Sequence, residues 1–395
     1  MKTTISADDG GFNADRLGEI NQVMQRYIDN GQAAGISAAI YRKGGLCYFD
    51  KAGHADLASQ RSIEADTMFR IYSMTKPITS VAIMMLWEQG KLRLNDPLSR
   101  FLPNFKEMDV FISDDKVEPA KREITIKDLL THTSGLSYAN FENPPPAEVY
   151  AKSNLMFTSE HTTAQFFDRL AELPLLYHPG EVWHYSLATD VLGYLVQVIS
   201  GMNFEAYLKK YIFEPLGMVD THFTVPADKL DRFATLYGEM EDGSMGLIPN
   251  SMGGDYTVDG FQSGGGGLVS TMADYMQFAK LILHKGELDG VRLLGRKTVE
   301  YLSSNFLPDS MMPIALGNPM PGVGFGLGFN YILNPAEVGV ANSTGNHGWG
   351  GWASTTFWVD PVEEMIGLLM VQYIPQNDYF LGTDFRTAVY QALVD

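Results

Sequence analysis

The chain has a single cysteine, Cys47, among 395 residues. That excludes an intramolecular disulfide and any cysteine-rich metal site. Its flanks, "GGLCYFDKAG", have the texture of a strand, and the residue reads as a small hydrophobe rather than a reactive thiol. No apolar run reaches the 18 or so residues of a membrane-spanning helix. Positive charge is scarce: 29 Lys and Arg stand against 47 Asp and Glu, a formal net charge of −18. No basic cluster offsets it, so neither nucleic acid nor an anionic membrane surface is an expected partner. The opening stretch "MKTTISADDGGFNADR" has no apolar run behind its lysine, so it does not read as a signal peptide, and a cytoplasmic protein is expected. No His-x-x-x-His pair or Cys/His set points to zinc, and no cofactor or metal is expected. Gly-x-Ser-x-Gly is absent too, which argues against the nucleophile elbow of an α/β-hydrolase.

What is present suffices for a large core, since 45% of the residues are hydrophobic. Residues 14–30 place Leu17, Ile20, Met24, Tyr27 and Ile28 at helical spacing. "GISAAIYRKGGLCYFDKAG" reads as a hairpin around a Gly-Gly turn, and 73–89 as a mostly buried helix stopped by Gly90. Between about 100 and 225 short helical patterns alternate with Pro-rich connectors, among them "NFENPPPAEVY", a loop placed to border a cleft. Later, "MADYMQFAKLIL" and "FRTAVYQALV" read as helices. "GFGLGFNYIL", "ASTTFWVDP" and "EMIGLLMVQY" read as strands, the last two joined at Asp-Pro. Strands near both ends predict one sheet built from both termini. The expected architecture is an α/β domain of residues 1–90 and 226–395, with a mostly helical insertion over 91–225. A site is expected at the interface of the two.

"YSMTKPITSVAIMMLWEQG" carries the chemistry. Ser73 and Lys76 are three apart at a helix start, so hydroxyl and amine share a face. Pro77 suits a first turn, where its missing N–H costs little. A free lysine titrates near ~10.4, and apolar neighbours such as Ile71, Met74 and Ile78 are what a basic lysine needs. The competing reading is a helix cap beside a solvated charge. Ser-x-x-Lys is a short pattern, and it recurs at Ser113 and Lys116 in the charged stretch "SDDK", which reads as a chance match. "SGGGGL" at 263–268 lacks the Gly-Lys-Ser/Thr ending of a phosphate loop and reads as a turn.

Five segments in order resemble the serine β-lactamase and penicillin-binding protein superfamily: "FRIYSMTKPITSVAIMMLWEQGKLRLNDPLSRFLP", "ITIKDLLTHTSGL", "HPGEVWHYSLATDVLGYLVQVISGMNFEAYLKKYIFEPLGM", "SGGGGLVSTMADYMQFAKLIL" and "HGWGGWASTTFWVDP". Within it the chain is most similar to class C β-lactamase-like enzymes, and among those to the family VIII carboxylesterases. The resemblance implies a central antiparallel sheet flanked by helices, with Ser73 as nucleophile, Lys76 as its base and Tyr185 as the phenol that shares their protons. It also implies an oxyanion hole made by the N–H groups of Ser73 and Trp352. Class C enzymes carry Tyr-Ala-Asn where this chain has Tyr185-Ser186-Leu187. They carry Lys-Thr-Gly where it has Trp349-Gly350-Gly351; the nearest true triplet, "KTV" at 297–299, lies in a helical stretch. An indole cannot attract a substrate carboxylate as lysine does, and Leu187 removes an amide. Both departures point to neutral carboxylic esters of short to medium chain, with Trp349, Gly350, Gly351, His347 and Leu187 lining the pocket. His132, His184 and His347 are read as structural. The expected function is thus a serine esterase on a small-molecule ester, with acyl transfer open to it. A β-lactamase or D-amino-acid peptidase is one alternative, a non-catalytic binding protein on the same fold another, and oligomeric state is left open.

Overall fold

The computed structural model describes residues 4–113, 116–138, 150, 153, 162–250, 254–376 and 379–395. Apart from Tyr150, the loop "NFENPPPAEVY" lies outside them. The first hairpin pairs β1 (Gly35–Arg42) with β2 (Gly45–Asp56). Its turn is one residue earlier than the Gly-Gly reading: Lys43 and Gly44 both have positive φ, 48° and 84°. Two consecutive left-handed residues make the turn whose twist matches that of the strands, and glycine takes the second place without strain. With β3 (Arg61–Ser62), β4 (Val323–Phe325), β5 (Asn330–Ile332), β6 (His347–Gly350), β7 (Thr356–Asp360) and β8 (Met365–Val371) these strands form an eight-stranded antiparallel sheet in the order β4-β5-β6-β7-β8-β1-β2-β3. Chain-end and chain-start strands meet where β8 pairs with β1, Ile36 opposite Val371 and Arg42 opposite Met365.

Both faces of this central pair are covered, which is why β1 and β8 are buried throughout and mostly apolar rather than alternating. On one face Ile36, Ala38, Ile40 and Leu369 pack under α1 (Glu19–Asp29) and α6 (Leu381–Tyr390), through Ile20, Met24, Phe385 and Val389. On the other, Ala39, Tyr41, Leu368 and Met370 meet α5 (Met272–Leu283) through Tyr275, Phe278 and Ala279. The helical run expected over 14–30 is broken at Gly18, leaving Ala14–Leu17 as a separate turn.

Deep in the second core lies α2 (Thr75–Glu88), buried from Thr75 to Leu86, hence apolar nearly all round. Against it packs α4 (Ala188–Ser200), closed by Gly201 in the left-handed conformation. The intervening chain supplies α3 (Ile126–Leu130) and helices at Thr163–Leu170 and Phe204–Leu208. It also contains a hairpin, Asp109–Ser113 with Lys116–Pro119, in a region with few strand signals. Ser113 and Lys116 are paired and exposed at its tip, remote in character from a catalytic pair.

Asp128 anchors the α3 segment. It is almost fully buried, receives the Arg122 guanidinium at 2.6 and 2.9 Å, and closes a capping box with Thr125. Burial alone would push its carboxyl up, but the hydrogen bonds from Arg122 and Thr125 outweigh that and hold it below the usual carboxylate range. Asp128→Ala leaves the capping groups of Thr125 without their carboxylate acceptor and takes the half-exposed Arg122 guanidinium's partner away, and is expected to lower unfolding free energy by roughly 1–2 kcal/mol in urea melts at pH 7. Because the folded carboxyl is depressed, its stabilisation is present above the unfolded value of about 3.9 and disappears as pH falls through the folded one, so wild type and variant should converge in acid.

Candidate active site

Ser73 is neither a cap nor on the first turn of α2. It sits in a single tight turn, Tyr72–Met74, that precedes α2, and the capping position is Met74. The residue before it, Tyr72, has φ of 40°, a left-handed conformation that costs a non-glycine residue about 1–3 kcal/mol. Strain of this kind is held only where the surroundings over-determine it, and here it lies next to the serine. Lys76 falls on the first turn of α2, so the three-residue spacing still brings the pair together: Lys76 Nζ is 3.1 Å from Ser73 Oγ.

The amine is almost fully buried and has two further partners. It donates to the Gly265 carbonyl at 2.7 Å and lies 3.1 Å from the Tyr138 hydroxyl. Its Nζ also stands 4.4 Å from the ring centroid of Tyr185, within cation–π range. Tyr185, 5% exposed, enters from the turn just before α4 and accepts a hydrogen bond from Trp349 Nε1 at 3.1 Å. Serine, lysine and phenol thus meet from two segments 112 residues apart in the chain, as the difference of Tyr185 and Ser73 gives.

Trp349 is on β6, and its side chain packs edge-on against Phe325 at 5.3 Å. His347, two residues before it and so on the same face, is buried, with Nδ1 2.8 Å from the Gly345 carbonyl. Burial lowers its affinity for a proton below the ordinary histidine value. Gly350 pairs with Thr356 across β7. Gly351 is pressed against the Ile71 carbonyl, which a Cβ would approach to 2.5 Å, so no other residue fits. Trp352 follows, 53% exposed, its ring 5.6 Å from that of Tyr72. The turn carrying Trp352 therefore runs alongside Tyr72 and Ser73. Leu187, buried, is the capping residue of α4.

Three site residues escape a linear reading. Tyr138 follows the "HTSGL" turn, in which Gly135 has φ of 83° and its α-carbon faces the Tyr177 carbonyl. Burial, then the nearby Asp190 charge, pushes the Tyr138 phenol well above its ordinary value, so it stays a donor. Asp190, on the first turn of α4, is fully buried and bonded by Ser263 Oγ at 2.5 Å, by the Gly265 N–H at 3.0 Å and by Tyr138 at 3.4 Å. Burial raises its carboxyl above the usual range, opposed by the Lys76 charge and these donors. Gly265, in the run read as a simple turn, touches both: a Cβ there would lie 2.4 Å from Asp190 Oδ2 and 2.8 Å from the Tyr138 hydroxyl.

The nearby histidines are held by their neighbours. The His132 ring lies 4.8 Å from that of Tyr185, tilted to it, and is bonded to Ser186 and Thr189; burial followed by the Lys76 charge pushes it well below its ordinary value. His184 bonds Ser137 at 2.8 Å.

Ser73, Lys76 and Tyr185 thus lie close together beside an antiparallel sheet covered by helices, a fold that can be compared with those of known proteins. The Beta-lactamase family profile matches residues 20–390, and the chain belongs to that family. It is 35% identical to Protein Rv1367c of Mycobacterium tuberculosis, over 93% of this chain and 92% of that one. It is 30% identical to Esterase EstB of Burkholderia gladioli, over 91% of each. Among solved structures it resembles EstCE1, described as a hydrolase with promiscuous acyltransferase activity, at 26% identity and a TM-score of 0.81 over 95% of this chain and 99% of that one. Among the described residues no helix is long and apolar enough to cross a membrane.

Proposed function

We propose that the protein is a serine hydrolase of small, uncharged carboxylic esters, akin to the family VIII carboxylesterases, acting through an acyl-enzyme on Ser73. The observation that carries this is the 3.1 Å approach of the buried Lys76 amine to Ser73 Oγ, with Tyr185 against the same amine. In the first half-reaction Lys76 and Tyr185 take the Ser73 proton as Oγ bonds to the ester carbonyl carbon. The N–H groups of Ser73 and Trp352 receive the oxyanion, and two fixed donors there are usually a large part of catalysis. The carbonyl re-forms, the carbon–oxygen bond to the alcohol breaks, and Tyr185 delivers the proton to the departing oxygen. In the second half-reaction water gives its proton to Tyr185 and attacks the acyl carbon, releasing the acid and restoring Ser73. An alcohol in place of water gives acyl transfer, an activity ascribed to EstCE1.

Trp349 supports the preference for uncharged substrates. It stands where a lysine would draw in a carboxylate, and its N–H is occupied by Tyr185. Wild-type enzyme is expected to hydrolyse p-nitrophenyl acetate and butyrate with far higher kcat/KM than nitrocefin, and the falloff toward octanoate will size the acyl pocket. Nitrocefin turnover exceeding that of every ester would replace this reading with a β-lactamase.

A further inference from the structure

We infer that Asp190 is the positioning residue of the Ser73–Lys76 pair: a buried carboxyl that holds the Tyr138 hydroxyl and the Gly265 backbone, the two groups that fix the Lys76 amine against Ser73. The inference rests on the hydrolase reading above and concerns the same site.

The first path runs through a side chain. Lys76 Nζ lies 3.1 Å from the Tyr138 hydroxyl, which in turn donates to Asp190 Oδ2 at 3.4 Å. The second runs through one residue of backbone. Gly265 accepts from Lys76 Nζ at 2.7 Å through its carbonyl and donates its N–H to Asp190 Oδ1 at 3.0 Å. Ser263 Oγ completes the shell of Asp190 at 2.5 Å. Every one of these contacts can bring a hydrogen to the carboxylate, and the Gly265 N–H can do nothing else. Oδ1 is thereby held by Ser263 and the Gly265 N–H, and Oδ2 by Tyr138. The glycine is obligatory for the arrangement, because a side chain at 265 would occupy the space between the carboxylate and the phenol.

The other groups facing Lys76 are the Ser73 hydroxyl, the Tyr185 ring, and His132 at the end of α3, with His184 behind it. His132 is held neutral, so it contributes no compensating positive charge of its own. Asp190 therefore acts on the amine through Tyr138 and Gly265: without its acceptor oxygens both lose the bond that orients them, and the amine is no longer held against Ser73 Oγ. The physical consequence is a control on kcat rather than on substrate affinity.

Asp190→Asn keeps the shape but puts an amide N–H group where one carboxyl oxygen accepted, so either Tyr138 or the Ser263 and Gly265 donors lose their acceptor. kcat for p-nitrophenyl acetate is expected to fall roughly tenfold, with KM near that of wild type. Tyr138→Phe cuts the side-chain path and leaves the carboxyl in place; a smaller fall in kcat, again with little change in KM, is expected, and this variant tests the inference even if Asp190→Asn fails to fold. Unchanged kcat in Tyr138→Phe and in folded Asp190→Asn overturns the inference and leaves Ser73-dependent turnover standing. Absence of Ser73-dependent turnover in the wild type would overturn both.

Discussion

Replacing Ser73 with alanine is expected to lower ester turnover by at least about three orders of magnitude, because in the proposed mechanism the acyl group is carried on its Oγ. The expected loss is in kcat. The substitution removes one oxygen from a tight turn and leaves the backbone of that turn, including Tyr72 at a φ of 40°, in place. Thermal unfolding should accordingly stay close to wild type, and the backbone N–H at position 73 remains to hold an oxyanion. A variant that retains a tenth of the wild-type kcat, in purified and folded form, is incompatible with a covalent role for Ser73. The same variant should bind ester substrates with nearly unchanged affinity, measurable by inhibition with a slowly turned over analogue.

Tyr185→Phe is expected to lose roughly 10²–10⁴ in kcat, the range of a general acid–base group. The phenol ring supplies the face against Lys76 and the tilted contact with His132 at 4.8 Å, and phenylalanine keeps both. What it removes is the oxygen that accepts the Trp349 N–H at 3.1 Å. Leaving that indole N–H without a partner in a buried site costs about 1–3 kcal/mol of stability, so a modest drop in unfolding temperature should accompany the kinetic loss. Trp349→Phe is the control: it removes the same hydrogen bond and leaves the phenol in place. If both variants lose activity equally, the role of Tyr185 is orientation of the pocket; a far greater loss in Tyr185→Phe assigns proton transfer to the phenol.

Much of this architecture is legible in linear sequence because it depends on local pattern. The strands of the central sheet are short apolar runs between Gly and Asp-Pro turns, and the buried helix α2 is apolar on every side. Ser73 and Lys76 are separated by three residues, so their meeting is a matter of helical geometry and survives the correction that the serine precedes the α-helix. What is hidden depends on contacts between distant segments. Asp190 sits on the first turn of α4, where an acidic residue already has an ordinary explanation in the helix dipole, and nothing local distinguishes it from such a residue. Tyr138 lies 62 residues from Lys76 and Gly265 lies 189 from it, separations over which no periodicity carries information. The glycine run around 265 looks like any flexible turn. Its composition is in fact dictated by crowding, since Gly264 faces the Thr189 carbonyl and Gly265 faces Asp190. A run of four glycines beside a candidate nucleophile segment is the one signal that close approach of backbone to a site was needed. The hairpin at Asp109–Pro119 was obscured for a different reason: its residues are largely exposed and charged, so it lacks the apolar alternation that marks a half-buried strand.

The measurement that tests the central claim most directly is the mapping of a covalent adduct. An alkyl p-nitrophenyl phosphonate transfers its phosphonyl group to an activated serine with release of p-nitrophenol, and the adduct is not cleaved by the second half-reaction. After complete inactivation, intact mass should rise by one phosphonyl group, and peptide mass spectrometry should place it on Ser73, with no labelling of Ser73→Ala. Inactivation with the group on any other residue, or full ester turnover by protein already labelled at Ser73, would contradict the account.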